Sequence, residues 1–335
     1  MKILITGTAG FIGYHTAERL LNEGHNILGI DNLNDYYSKE LKRDRLNNLI
    51  KHTDYAHKEI NISDSNKLSK AFKEFKPEKV IHLAAQAGVL YSIENPMAYV
   101  ESNLVGFTNI LEACRYENIK HLIYASTSSV YGLNTSMPFS TSQNTDHPLS
   151  FYAATKKSNE VMAHTYSYLF SLPTTGLRFF TVYGPWGRPD MALFKFTKAI
   201  IENNEINIYN HGKHKRDFTY IDDIVDGIVK VVFDSPKKNL NFDPKSPDPS
   251  SSSSLWNLYN IGSNNPIDLM DYVSLIEKYL GKKAKIKMLP LQKGDVPETF
   301  ADISPLKNNY QFNPKVSVEQ GVKKFIDWYK KYYKV

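Results

Sequence analysis

Apolar residues along this chain fall into short, dense runs separated by stretches of helical periodicity. Lys2-Ile3-Leu4-Ile5-Thr6, Asn26-Ile27-Leu28-Gly29-Ile30 and Val80-Ile81-His82-Leu83-Ala84-Ala85 have the length and branching of buried parallel strands. His121-Leu122-Ile123-Tyr124-Ala125-Ser126 and residues 174–180 read the same way, and residues 55–59 form a shorter third strand. Between the runs, helices are predicted over residues 11–23, 39–50, 67–75, 96–117 and 151–171. Strands alternating with helices predict an α/β fold built on a doubly wound parallel sheet covered on both faces.

From Gly184 the pattern changes to an irregular stretch rich in Pro, Gly, Trp and Arg, then a helix over 191–203 and alternating short strands and loops. A strand is predicted at 257–261, a helix at 268–280 and a terminal amphipathic helix at 318–332. The expected division is a sheet domain of residues 1–180, with returning segments near 218–234 and 257–272. Residues 181–217, 235–256 and 273–335 make a smaller mixed α/β substrate domain. Residues 241–254, with prolines and a serine run, are expected to be a mobile surface loop.

Composition narrows the class. The chain has 335 residues, enough for a substantial core, and its 41% apolar content is ordinary for a globular protein. No apolar run approaches the roughly twenty residues that span a bilayer. The start carries one Lys and then a strand, which is not the pattern of a secretory signal. A single cysteine, Cys114, excludes a disulfide within the chain and suits a reducing cytoplasm. The +6 net charge comes from scattered basic residues, not from a stripe interleaved with aromatics, so no nucleic-acid partner is expected. A mild positive field favours an anionic substrate. No histidine has metal-ligand spacing, and no metal is expected.

The first strand ends at Gly7-Thr8-Ala9-Gly10-Phe11-Ile12-Gly13, and the second at Asp31. Strand, glycine turn, helix, strand and acid form a dinucleotide-binding Rossmann unit. The first glycine permits the turn, the second lets N–H groups approach a pyrophosphate, and the third lets helix and strand pack closely. Asp31 is placed to accept hydrogen bonds from the adenosine ribose and to repel a 2′-phosphate, so NAD is expected over NADP. The Gly-x-x-Gly-x-x-Gly spacing points toward extended short-chain dehydrogenases.

Tyr152-Ala153-Ala154-Thr155-Lys156 puts Tyr152 and Lys156 on one helix face. An ordinary tyrosine, with a pKa of about 10, is a poor base near neutrality. A neighbouring ammonium stabilises its phenolate and brings it into range. The strand ending Ser126-Thr127-Ser128-Ser129-Val130-Tyr131-Gly132 should line the same crevice, since strand carboxyl ends face the ligand in this fold. Thr127 is the expected partner of the reacting substrate oxygen, beside Ser128 and Ser129.

With these motifs the chain resembles the extended short-chain dehydrogenases that act on nucleotide sugars. Asp31-Asn32-Leu33-Asn34-Asp35-Tyr36-Tyr37 and the segment from Arg178 through Trp186-Gly187-Arg188-Pro189-Asp190 to Ala192 are similar to those of UDP-glucuronate 4-epimerases. The resemblance implies C4 epimerisation of UDP-glucuronate to UDP-galacturonate through a 4-keto sugar, with NAD regenerated each turn. It further implies that Asn61, Ile62, Leu83, Ala84, Ala85, Gln86 and Asn103 line the cofactor, with Asn32, Phe11 and Ile12 nearby. Phe180 and Thr181 would border the sugar, and Arg216 and Asp295 would help hold UDP. For the last two the alternative is a surface salt bridge.

Arg188 is the expected partner of the sugar carboxylate; the alternative is a structural pair with Asp190. Related decarboxylases and dehydratases carry acids just after the position of Thr127. Ser128 and Ser129 stand there in this chain, which argues for plain epimerisation. The other readings are an epimerase for a neutral UDP-sugar and a cofactor-binding sensor without turnover. A homodimer through the helices at 96–117 and 151–171 is the assembly the family implies.

Overall fold

The computed structural model describes residues 1–292 and 294–335. The strands are β1 (Lys2–Thr6), β2 (Asn26–Asp31), β3 (Tyr55–Glu59), β4 (Lys79–His82), β5 (His121–Thr127), β6 (Thr174–Phe179), β7 (Thr181–Tyr183), β8 (Glu205–Ile208), β9 (Lys215–Tyr220), β10 (Trp256–Ile261), β11 (Pro266–Asp268) and β12 (Lys285–Met288). Seven of them form one sheet in the order β10-β6-β5-β4-β1-β2-β3, with every neighbouring pair parallel. The order reverses beside β1, so β1 and β4 flank the crevice where ligands bind in doubly wound sheets. Beyond it, β11-β9-β7 and β12-β8 form two small sheets.

The helices are α1 (Phe11–Asn22), α2 (Lys39–Leu49), α3 (Ser65–Phe75), α4 (Tyr91–Glu94), α5 (Pro96–Tyr99), α6 (Gly106–Tyr116), α7 (Phe151–Phe170), α8 (Ala192–Ile201), α9 (Ile221–Phe233), α10 (Leu269–Leu280), α11 (Ser304–Tyr310) and α12 (Val318–Tyr333). They bury two apolar clusters against the sheet, one under α1, α9 and α12 and one under α3 and α6. Among the described residues no helix is long and apolar enough to cross a membrane.

One expectation needs correction. Residues 96–117 are not one regular helix: Val100–Val105 widens into a π-helical turn between α5 and α6. Asn103 sits in that turn. It accepts from the Gln86 backbone N–H (2.9 Å) and donates to the Gln86 carbonyl (3.0 Å) and the Thr155 hydroxyl (3.0 Å). Such wide turns trade regular bonding for a re-aimed side chain. The serine-rich segment after Asn239 is a largely exposed loop whose end is tied to β10. Asp248 accepts from Ser250 and Ser251, Leu258 N–H donates to Ser250 O (2.8 Å), and Ser252 and Ser254 are buried. The serines bond their own turns and lie against β10, as short hydroxyl side chains do in tight turns.

A buried charged network ties four elements beneath the crevice. Arg178 on β6 makes a two-pronged pair with Glu160 on α7, at 2.8 and 2.9 Å. Ser126 at the end of β5 donates to the same carboxylate at 2.6 Å. The guanidinium lies 4.9 Å from the Tyr131 ring centre, and Tyr131 donates to Asn260 of β10 at 2.7 Å. Burial alone would raise the Glu160 pKa; the Arg178 charge and the hydrogen bonds outweigh it and hold the carboxyl below its usual range. A depressed carboxylate contributes stability above its unfolded pKa and loses it as pH falls through the folded value. Arg178→Met strands a buried carboxylate, and urea unfolding at neutral pH is expected to read a loss of roughly 3–5 kcal/mol. The deficit should shrink in acid, where Glu160 takes a proton.

Candidate active site at the strand ends

The crevice begins at the glycine turn. Gly7 sits at φ +80°, and a Cβ there would lie 2.8 Å from the Ala84 backbone nitrogen. Its carbonyl accepts from Gly10 N–H at 2.9 Å. A Cβ on Gly10 would reach that same carbonyl at 2.9 Å, and one on Gly13 at 2.0 Å. The motif is therefore a packing requirement before it is a binding one. The α1 N-terminus has no side-chain cap, so its first N–H groups stay available at the positive end of the helix. A cradle of this shape fits a pyrophosphate.

Asp31 closes the turn from the next strand. Its carboxylate accepts from Ala9 N–H (3.1 Å) and Leu33 N–H (2.9 Å), and it faces the crevice. Asn32, Asn61 and Ile62 continue that wall, Leu83, Ala84, Ala85 and Gln86 form the floor after β4, and Phe11, Ile12 and Phe180 close the sides. Asn103 stands behind the wall and fixes Gln86. Sequence reasoning missed Asn34, Tyr36, Tyr37, Lys42 and Met191, which also line the crevice. Lys42 donates to the Asn34 carbonyl and side chain at 2.6 Å each, and burial brings its pKa down to about 8 against the opposing charge of Asp31. Its only sequence signal was an apolar-side position on α2, shared with many lysines.

Tyr152, Lys156 and Thr127 all open on the far half of the crevice. Ser150 caps α7 through Ala153 N–H (3.2 Å), which sets Tyr152 in the first turn. Tyr99 packs edge-on against the Tyr152 ring at 6.0 Å. Burial raises the Tyr152 pKa, while the neighbouring Thr127 hydroxyl and the charge of Arg188 oppose that rise. Arg188 adds a further cation to the crevice beside Lys156. Burial brings Lys156 down to about 8, opposed by Glu160, and its ammonium has no hydrogen-bond partner among the described residues.

Arg188 pairs with Asp190 and also lines the crevice. It donates to Asp190 from Nε (3.0 Å) and Nη2 (2.5 Å), and it also lines the crevice near Tyr152. Tyr36 donates to the same Asp190 carboxylate at 3.3 Å. The pair leaves Nη1 without a partner among the described residues. Ser128, Ser129 and Thr181 stand off the crevice wall. Ser128 and Ser129 form the turn after β5, where Ser129 bonds Thr127, and Thr181 begins β7 opposite Phe218. Arg216 and Asp295 pair with each other at 2.8 Å, with His214 3.4 Å from the same carboxylate, and neither lines the crevice.

A phenol, an ammonium and a pyrophosphate cradle thus share one opening, and the fold and site together define an enzyme of the short-chain dehydrogenase class. Known proteins narrow this further. Residues 3–241 match the model of the NAD dependent epimerase/dehydratase family, and the chain belongs to that family. It is 58% identical to "Protein CapI" of Staphylococcus aureus, over the whole of both chains. It is 48% identical to a "Probable UDP-glucuronate 4-epimerase" of Rhizobium meliloti, covering 100% of this chain and 98% of that one. The fold superposes with a TM-score of 0.89 on the crystal structure of UDP-glucuronic acid 4-epimerase from Bacillus cereus in complex with UDP-glucuronic acid and NAD. Identity there is 35%, over 99% of this chain and 100% of the other.

Tyr152→Phe is expected to lower turnover by roughly 10²–10⁴-fold, the usual range for one acid–base group. Thr127→Ala removes an interaction that lowers the Tyr152 pKa, so the acidic limb of kcat/KM against pH should move to higher pH. A limb that stays in place would take Tyr152 out of the role of base.

Proposed function

We propose that the chain catalyses NAD-dependent C4 epimerisation of UDP-glucuronate to UDP-galacturonate. The observation that carries the substrate assignment is the free Nη1 edge of Arg188, in the same crevice as the Tyr152 phenol. A guanidinium has five donors, and Asp190 engages only Nε and Nη2. The remaining edge suits a sugar carboxylate, and Asp190 keeps the cation oriented between turnovers.

NAD, held by the glycine turn and Asp31, would supply a reversible hydride acceptor for C4. The residues do the rest. Tyr152 takes the 4-hydroxyl proton and gives it back. Thr127 holds the reacting oxygen beside the phenol. Lys156, with a free ammonium facing the crevice, orients the nicotinamide ribose. Ser128 and Ser129 offer no acid for further proton transfers, which favours simple return of the hydride over dehydration.

The hazard is the 4-keto uronate, a β-keto acid. Loss of CO2 breaks the C5–C6 bond, sends its electron pair to the C4 carbonyl as an enolate, and leaves a 4-keto pentose once C5 takes a proton. Pairing with Arg188 stabilises the carboxylate that this path destroys. Incubating the purified protein with UDP-glucuronate and no added NAD should give UDP-galacturonate. Turnover of UDP-glucose alone would instead favour the neutral-sugar reading. Arg188→Ala should raise KM for UDP-glucuronate and release CO2; unchanged kinetics on UDP-glucuronate would remove Arg188 from substrate recognition.

The working assembly is a homodimer. Ile93, Met97, Val105, Val161, Tyr168 and Leu169 are exposed apolar side chains on and around α4 to α7, a concentration rare on a monomer's surface. A lone buried Cys114 accords with a reducing cytoplasm. Light scattering should give twice the chain mass, and Val161→Glu should shift it toward the monomer. A wild-type monomer at working concentration would refute the dimer.

A further inference from the structure

Three consecutive backbone carbonyls lead into Arg188, and all three are held by side chains of the cofactor-binding unit. His15 on α1 donates from Nε2 to Pro185 O at 2.9 Å. Arg45 on α2 donates from Nη2 to Trp186 O, and from the same nitrogen to Gly187 O at 3.1 Å. The other prong of that guanidinium, Nη1, donates to Ala9 O inside the glycine turn and to the Tyr37 hydroxyl, at 2.8 Å each. Arg45 is fully buried and forms no ion pair with a carboxylate among the described residues. Burying an unpaired cation is costly unless its donors are well matched. Here four oxygens, three of them backbone carbonyls, take the place of solvating water, and only Nε is left without a partner.

The segment it holds is not one that would rest there unaided. Trp186 sits at φ +61°, in the left-handed region that bulky residues avoid. Its ring is packed among Tyr14 (5.7 Å), Trp328 (5.4 Å) and Tyr332 (5.1 Å). Rings fix the side chain from one side and Arg45 fixes the carbonyls from the other. The backbone direction at Gly187, and hence where Arg188 enters the crevice, follows from both.

We infer that Arg45 is a positioning residue for sugar recognition: one buried guanidinium clamps the glycine turn to the loop that carries Arg188. The inference rests on the uronate-binding reading of Arg188. It makes the cofactor cradle and the loop carrying Arg188 one rigid unit, although they come from distant parts of the chain. A lysine can keep the charge but has no planar fork to bridge Ala9 to Trp186 and Gly187.

The test compares Arg45→Met, Arg45→Lys, Arg188→Ala and the double variant Arg45→Met/Arg188→Ala. The readouts are KM for UDP-glucuronate, the share of turnovers that release CO2, and thermal unfolding. A misplaced Arg188 should raise KM by roughly 10–100-fold in Arg45→Met and increase the CO2 share. Arg45→Lys should recover part of both. The double variant should release no larger a CO2 share than Arg188→Ala alone, since one residue acts through the other. A folded Arg45→Met that only melts earlier, with KM and CO2 share unchanged, would overturn the inference, as would additive losses in the double variant. Should Arg45→Met not fold, the same outcomes are read from Arg45→Lys. If Arg188→Ala itself leaves KM and CO2 share at wild-type values, the uronate reading fails and this inference with it. If Arg188→Ala shifts them and the Arg45 variants do not, only the role of Arg45 is lost.

Discussion

The crevice is referenced to a single oxygen, the carbonyl of Gly7. It accepts from Gly10 and leaves no space for a methyl group on Gly10 or Gly13. That lack of side chains lets α1 start directly behind β1, with its N-terminus open toward the ligand. The same close approach brings Ala84 of the β4 loop against Gly7 and places Ala9 where Asp31 and Arg45 both reach it. A methyl at any of these positions would move the helix, and the helix carries the cradle, His15 and part of the wall with it.

Three cations, Lys42, Lys156 and Arg188, line the crevice in different surroundings. Arg188 is anchored by Asp190, and its charge opposes the burial that raises the Tyr152 pKa. Lys156 is brought down to about 8 by burial and faces open space, free to take a ligand hydroxyl. Beneath them the Glu160–Arg178 pair holds β5, α7 and β6 at fixed spacing. It sets the floor against which the reacting groups are aligned. Such a buried pair need not stabilise more than a packed apolar pair would, but removing one partner leaves a charge with no outlet.

Local patterns in the chain were enough to read the parallel sheet, the glycine turn, the acid at the end of β2 and the Tyr152–Lys156 helix face. Each is written within about twenty residues, because strand length, turn chemistry and helix period are short-range constraints. The central strands accordingly lie within a residue or two of their expected ends, apart from β4, which stops at His82 and hands the floor to a loop. The π-helical turn at Val100–Val105 was not legible, since Gln86 and Thr155, not neighbours in sequence, draw Asn103 out of register.

What the sequence alone determined is the kind of site: a dinucleotide cradle and a phenol with a cation four residues along the same helix face. Tertiary structure decided which oxygens each buried cation meets. Arg45 reaches Trp186 from 141 positions away, and Tyr36 shares Asp190 from 154 away. Contacts at such separations leave no periodic trace in a single chain. They arise when packing brings two surfaces together, and only there does a buried charge find which oxygens remain to satisfy it.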